Sequence, residues 1–420
     1  MLFTNQLPMT SSTPVSSTSL RPLFTLPVIV AALGYFVDVY DLLLFNIVRV
    51  PSLKDLGLSE ADISLIGGRI LNFQQTGLLV GGIVWGILGD KRGRLSVLFG
   101  SIITYSLANI ACGLVHDANV YAILRFVAGL GLAGELGAGI TLVSEILPKQ
   151  LRGYGSSLVA GVGLLGAVVG YFTVTLFDWR TTYFIGGGLG LGLLILRVSV
   201  LESGMFKRVV ETNVSRGNFL AFFQNSIRLK RYLRCMGIAV PTYLVIGILA
   251  TFGNEFGKAL GLEEAIQPGR CVMFTYIGTV VGDLISGPLS QYFRSRRKAI
   301  GLMMGLTAVF VVIYLSGIIT SVSLFYAVCL SMGFSIGYIA MFLTITAESF
   351  GTNLRATATT SVANNVRATT LLTIPAFQFM KPSLGVLGSA AVVALICFGI
   401  GFWSLVKIEE TFGKELDYTE

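Results

Sequence analysis

The sequence predicts an all-α membrane protein whose 12 transmembrane helices form two six-helix bundles, with both termini in the cytoplasm. Three observations carry this. Of the 420 residues, 54% are hydrophobic and only 12% charged, with a mean hydropathy of +0.78, whereas a water-facing surface needs about a quarter of its residues charged. Apolar runs of roughly twenty residues, enough to cross a bilayer as a helix, follow one another almost without pause. Lysine and arginine collect in alternate loops.

In chain order, residues 1–23 are a Ser/Thr-rich tail without the basic start or cleavage site of a signal peptide, read as disordered and cytoplasmic. Spans are expected at 24–48, 64–88, 96–115, 119–144, 154–177 and 179–200, making an N-terminal bundle over 24–200. A polar, basic stretch at 201–234 is the expected cytoplasmic linker. The second bundle, 235–407, holds spans at 235–256, 268–290, 299–318, 322–347, 356–380 and 384–407, and 408–420 is a cytoplasmic tail. The seventh and eighth spans are the least distinct, because Glu255, Lys258, Glu263 and Glu264 interrupt them.

Orientation follows from the basic residues. Lys91, Arg92, Arg94, Lys149, Arg152, the Arg228–Arg234 cluster and Arg294–Lys298 fall on the side of the termini and linker. Only Arg49, Lys54, Arg180, Lys258, Arg270 and Lys381 fall on the other. The basic side is cytoplasmic by the positive-inside rule, which suits a multi-pass protein of a bacterial inner membrane. It also accounts for the net charge of +8 without a nucleic-acid partner. The partners expected are the lipid bilayer and a small-molecule substrate, on a monomeric protein.

Several other chemistries are disfavoured. The five cysteines stand singly in apolar runs and the chain has one histidine, His116, which suggests neither a disulfide framework nor a metal site. The spacings Gly129-x-Gly131-x-x-Gly134 and Gly161-x-Gly163-x-x-Gly166 match a dinucleotide fingerprint. They lie in long apolar helices rather than after a strand, where glycine lets helices approach. No phosphate-binding P-loop occurs, and no cofactor is expected.

An internal repeat relates the halves. Glu145-Ile-Leu-Pro148-Lys-Gln-Leu-Arg152 ends the fourth span and Glu348-Ser-Phe-Gly351-Thr-Asn-Leu-Arg355 the tenth, with Glu and Leu-Arg at matched spacing. Between spans two and three, Gly86-Ile-Leu-Gly89-Asp90-Lys91-Arg92-Gly93-Arg94 resembles the loop motif of the major facilitator superfamily. Arg125-Phe-Val-Ala-Gly129-Leu-Gly131 in span four resembles a second motif of that family. Leu201-Glu202-Ser203-Gly204 and Glu410-Thr411-Phe412-Gly413 are similar to the segments that follow spans six and twelve in its sugar and metabolite proton symporters, without their proline. Asp38-Val-Tyr-Asp41 is similar to a span-one pattern of the organic-acid symporters. The resemblance implies a secondary carrier that works by alternating access, with protons as coupling ion.

The gating and loop-motif residues are then Gly86, Asp90, Arg94, Glu145, Arg152, Glu348 and Arg355. Asp90 is placed to accept hydrogen bonds from a helix end or from Arg152, a latch that opens when the bundles rock. The second half has Gln291 where that aspartate stood, so a charged latch is expected on one side only.

Ionised residues inside spans cost roughly 2.5–3.5 kcal/mol each near a helix centre and mark function or pairing. Asp38, Asp41, Arg69, Arg125, Glu135, Asp283 and Arg367 fall in this class. Asp38 and Asp41 share a helix face; with Arg125 and Glu135 they form the expected proton-coupling group, the bland alternative being a neutralised pair that holds spans together. Arg367 offers a planar fork for a carboxylate or phosphate. With Asn364, Gln74, Gln75, Tyr40 and Arg69 it makes the expected substrate site, the alternative being a structural pair with Glu135 or Asp283. The expected activity is proton-coupled import of a small polar, anionic metabolite. A proton-antiport exporter, an uncoupled facilitator or exchanger and, remotely, a membrane-embedded enzyme are the competing readings.

Overall fold

The computed structural model describes residues 21–92, 94–133, 147, 152–202 and 221–413. No strand occurs among them. In the first half the helices are α1 (Leu26–Asp55), α2 (Glu60–Arg92), α3 (Arg94–Gly113), α4 (Ala118–Leu132), α5 (Arg152–Leu176) and α6 (Trp179–Glu202). The second half holds α7 (Ser226–Leu244), α8 (Gly253–Ala259), α9 (Pro268–Phe293), α10 (Arg296–Leu315) and α11 (Val322–Ile336). It ends with α12 (Ile339–Ser349), α13 (Thr352–Arg367) and α14 (Thr370–Lys407).

Helix starts follow local chemistry. The Asp117 carboxylate accepts from the first N–H groups of α4, Ser295 and Ser321 cap α10 and α11, and Asn225 caps α7. That last cap starts α7 at Ser226, ahead of the span expected from residue 235. Pro268 stands at the start of α9, where its missing N–H costs nothing. Spans eleven and twelve run together as α14 but turn at Gly385, whose φ of 67° is open to glycine.

The two halves pack alike. Span one lies on span five and span seven on span eleven; span two lies on span four and span eight on span ten. Glycines set the close approaches. A Cβ on Gly77 would lie 2.0 Å from the Phe126 carbonyl oxygen, and one on Gly129 2.2 Å from that of Gln74. At the matched place in the second half, Gly278 meets the Leu330 oxygen at 2.1 Å and Gly333 that of Thr275 at 2.0 Å. The repeat read from Glu145 and Glu348 thus extends to the helix contacts, as in carriers built from duplicated bundles.

The second half is less regular than its apolar runs imply. Span seven passes through a π-helical stretch, Val245–Ala250, and a turn before α8. Span ten, expected as one helix over 322–347, is broken between α11 and α12 at Gly337 and Tyr338. Span eleven is interrupted between Arg367 and Thr370. Irregular backbone survives inside a membrane only where protein or a polar cavity satisfies it. Here Asp283 of α9 does so by accepting the Ala340 N–H at 3.0 Å, over the break in span ten.

At the end remote from the chain termini the bundles are joined by polar contacts. Arg49 donates to the Thr251 oxygen at 3.0 Å and to Asn254 Oδ1 at 3.2 Å, with Glu255 at 3.8 Å. Lys381 binds Glu255 at 2.8 Å and Ser64 at 2.6 Å; Gln378 also holds Ser64, and Lys258 pairs with Glu60. This end is therefore closed.

Candidate functional site

Two groups of in-span residues emerge. In the first bundle Arg125 is fully buried and uses three of its donors: to Gln74 Oε1 at 3.3 Å, to Asn109 Oδ1 at 2.8 Å and to the Asp41 backbone oxygen at 3.0 Å. Gln74 in turn donates to the Leu42 oxygen at 2.8 Å, so it ties Arg125 to α1 rather than joining Arg367. The Asp41 carboxylate is buried, and both its oxygens lack a hydrogen bond among the described residues. Asn109 sits beside it, its Nδ2 likewise without an acceptor in range. Space for the carboxylate comes from Gly186 of α6, where a Cβ would stand 2.4 Å from Asp41 Oδ1. Tyr40 is held by Thr173 at 3.0 Å and the Thr182 oxygen at 3.1 Å, tying α1 to α5 and α6.

The second group gathers at the broken helices. Arg367 is 9% exposed at the end of α13, its Nε donating to the Tyr243 hydroxyl at 3.2 Å. Tyr35 and Tyr276 lie within its electrostatic reach. Among the described residues no carboxylate approaches Arg367 to ion-pair distance, and Asp283 is engaged with α12 instead. Asn364, one turn back, is buried with Oδ1 lacking a donor. Tyr35 of α1 brings the bundles together here, with Asp38, Asp283, Tyr243 and Arg367 around it. Asp38 thus neighbours the Arg367 group, while Asp41, on the same helix face, belongs to the Arg125 group.

The remaining expected residues are distributed as follows. Gln75 is half-buried with Oε1 unsatisfied. Arg69, expected in the substrate site, is exposed and lies over the Phe73 ring at 5.6 Å. Glu135 and Glu145 lie outside the described residues, as do the side chains of Asp90, Arg94, Arg152 and Arg355 and the surroundings of Gly86. Glu348 binds Arg296 at 3.1 Å and accepts from Thr411 at 2.6 Å. Glu410 receives the Ser295 hydroxyl and the Arg296 N–H at 2.9 Å. The second bundle thus carries a charge cluster at the terminal end although Gln291 replaces an aspartate in its loop. Residues the sequence reading left out of the site are Tyr35, Asn109 and Gly186. Tyr35 carried a signal, standing one turn before Asp38.

Among the described residues, a buried carboxylate without a hydrogen bond thus lies beside a fixed arginine, and a second arginine lies among tyrosines with no carboxylate at ion-pair distance. The Major Facilitator Superfamily model matches residues 31–369. This chain belongs to that superfamily. A Haemophilus influenzae member named for metabolite transport is 30% identical over 353 residues, covering 80% of this chain and 84% of its own. A niacin transporter of Acinetobacter baylyi is 32% identical over 178 residues, 41% of this chain and 40% of its own. The crystal structure of a D-xylose-proton symporter superposes with a TM-score of 0.66 at 15% identity, covering 92% of this chain and 98% of that one, a likeness of fold. As a major facilitator protein the chain is a multi-pass membrane transporter, not an enzyme.

Proposed function

We propose that this transporter imports a small organic carboxylate together with a proton, the substrate binding at Arg367 and the proton at Asp41. The observation that carries the proposal is Arg367 itself, buried at a helix break with no carboxylate in ion-pair range among the described residues. A buried guanidinium is tolerated when an anion completes it, and its fork suits a carboxylate bidentately. Tyr35, Tyr243 and Tyr276 around it add ring faces and hydroxyls, which favour an aromatic acid. The niacin named for the Acinetobacter baylyi relative is such an acid, a pyridine carboxylate.

Asp41 supports the coupling half. A carboxylate without hydrogen bonds inside a bundle is costly as an anion, and a proton there removes the charge. The positive-inside rule supports a cytoplasmic placement of the termini, so the joined end faces outward. The test is uptake of radiolabelled nicotinate into proteoliposomes under an imposed pH gradient, acid outside. Accumulation above the outside concentration that collapses with a protonophore supports the proposal, and uptake indifferent to the gradient overturns it.

A further inference from the structure

Outside the joined end lies a cavity of about 1030 Å³ between the bundles, lined by residues of α1, α2, α5, α8 and α9. Two carboxylates line it, and both are taken. Glu60 pairs with Lys54 and Lys258, and Glu255 with Lys381. Arg270, also in the lining and exposed, has no carboxylate in ion-pair range among the described residues. Its Nε donates at 2.8 Å to the hydroxyl of Tyr171, a residue only 8% exposed. That hydroxyl oxygen is therefore an acceptor from Arg270, and its own hydrogen has no acceptor among the described residues. Arg270 also stands in the first turn of α9, at the positive end of the helix dipole, and Pro268 and Gly269 of the same turn line the cavity. Gly269 lets the Tyr171 ring sit against this turn, since a Cβ there would meet the ring at 3.1 Å.

We propose that Arg270, Tyr171 and the start of α9 form a second anion-binding site, on the route of the carried carboxylate but separated from Arg367 by the closed gate. The inference rests on the outward orientation and carboxylate substrate argued above. A carboxylate entering the cavity takes the guanidinium edge of Arg270 and the Tyr171 hydrogen, and is held beside the Lys381–Glu255 pair that must part for it to pass. The site raises the local concentration of anions at the gate.

Two measurements separate this site from the substrate assignment. The native cysteines are all buried, so Thr175→Cys, in the cavity wall, gives one accessible thiol on the full-length protein. Its labelling rate is compared for an anionic and a cationic methanethiosulfonate. Arg270→Gln is expected to lower the anionic-to-cationic ratio roughly fivefold, the effect of one nearby unit charge on oppositely charged reagents. An unchanged ratio overturns the site whatever the substrate proves to be. In proteoliposomes, Arg270→Gln and Tyr171→Phe are expected to raise the nicotinate KM from the outer face about threefold or more. The maximal rate of uptake should stay as it is, and Vmax/KM for efflux should fall by the same factor, because a substitution cannot change the transport equilibrium. An unchanged KM for uptake overturns its place on the route. A wild type that moves no carboxylate sinks the transport proposal, and the labelling ratio then decides the anion site by itself.

Discussion

Arg125 donates to the backbone oxygen of Asp41 at 3.0 Å, while among the described residues both carboxylate oxygens of the same residue are buried without a hydrogen bond. The arginine is thus held by neutral acceptors, Gln74, Asn109 and a peptide oxygen, and does not lock the carboxylate in a salt bridge. On the proposed proton coupling, a carboxyl that gains and loses a proton in each cycle benefits from this arrangement, because no salt bridge traps either form.

Gly186 makes that pocket. Replacing it with Ala puts a methyl 2.4 Å from Asp41 Oδ1, so the carboxylate or α6 must move, at a cost of about 1–3 kcal/mol. Gly186→Ala should lower the melting temperature and the pH-driven uptake together. The melting loss should shrink when Asp41→Ala is added, since the two changes share one contact. Simple additivity in the double variant would show that the contact does not matter.

Arg367 and Tyr243 should separate in kinetics. Arg367→Lys keeps charge but loses the fork, and is expected to raise the nicotinate KM about tenfold or more, the worth of one charge-assisted hydrogen bond. Tyr243→Phe removes the 3.2 Å acceptor that orients Arg367 and should have a smaller effect of the same sign. Unchanged KM in both would remove this group from the substrate site.

The gate offers a reversible lock. Ser64 and Gln378 touch across the bundles at 3.0 Å, and the native cysteines are buried. Ser64→Cys with Gln378→Cys, joined by a short bifunctional thiol reagent, should stop transport, and a reductant-cleavable linker should restore it. Full activity in the linked protein would mean that this end need not open.

Glu410 ties the end of the chain to α10. Burial alone would raise its carboxyl, but hydrogen bonds from the Ser295 hydroxyl and from the N–H groups of Arg296, Phe412 and Arg297 hold it below the usual carboxylate value. A lowered folded-state value contributes stability that is present above the unfolded value, about 4.3, and lost as pH falls through the folded one. Glu410→Gln should therefore melt lower than wild type at pH 7, with the gap closing below about pH 4. A gap that persists in acid would assign the loss to packing.

Much of this was legible in the sequence, because lipid imposes a simple grammar on it. Span length, loop charge and the cost of an in-span ion pointed to Asp41, Arg125 and Arg367 before any coordinates. Hydropathy could not reveal the breaks at Gly337 and Arg367, since an apolar run looks the same whether its helix is continuous or interrupted. Depth along a helix gives height and not rotation. The sequence alone thus puts Arg69 in the substrate site with Arg367, though it is exposed beside Phe73. Gln74 was assigned to Arg367, though it holds Arg125. Tyr35 and Gly186 matter through contacts with distant helices, which spacing within one helix does not encode.

Asp41→Asn tests the central claim most directly, with nicotinate accumulation and nicotinate exchange measured in the same proteoliposomes. The amide keeps the shape of the side chain but cannot carry a proton. Accumulation driven by an acid-outside gradient should disappear while exchange at equal pH continues near the wild-type rate. Accumulation that survives the substitution would contradict proton coupling at Asp41, and equal loss of both activities would place that residue in binding or folding instead.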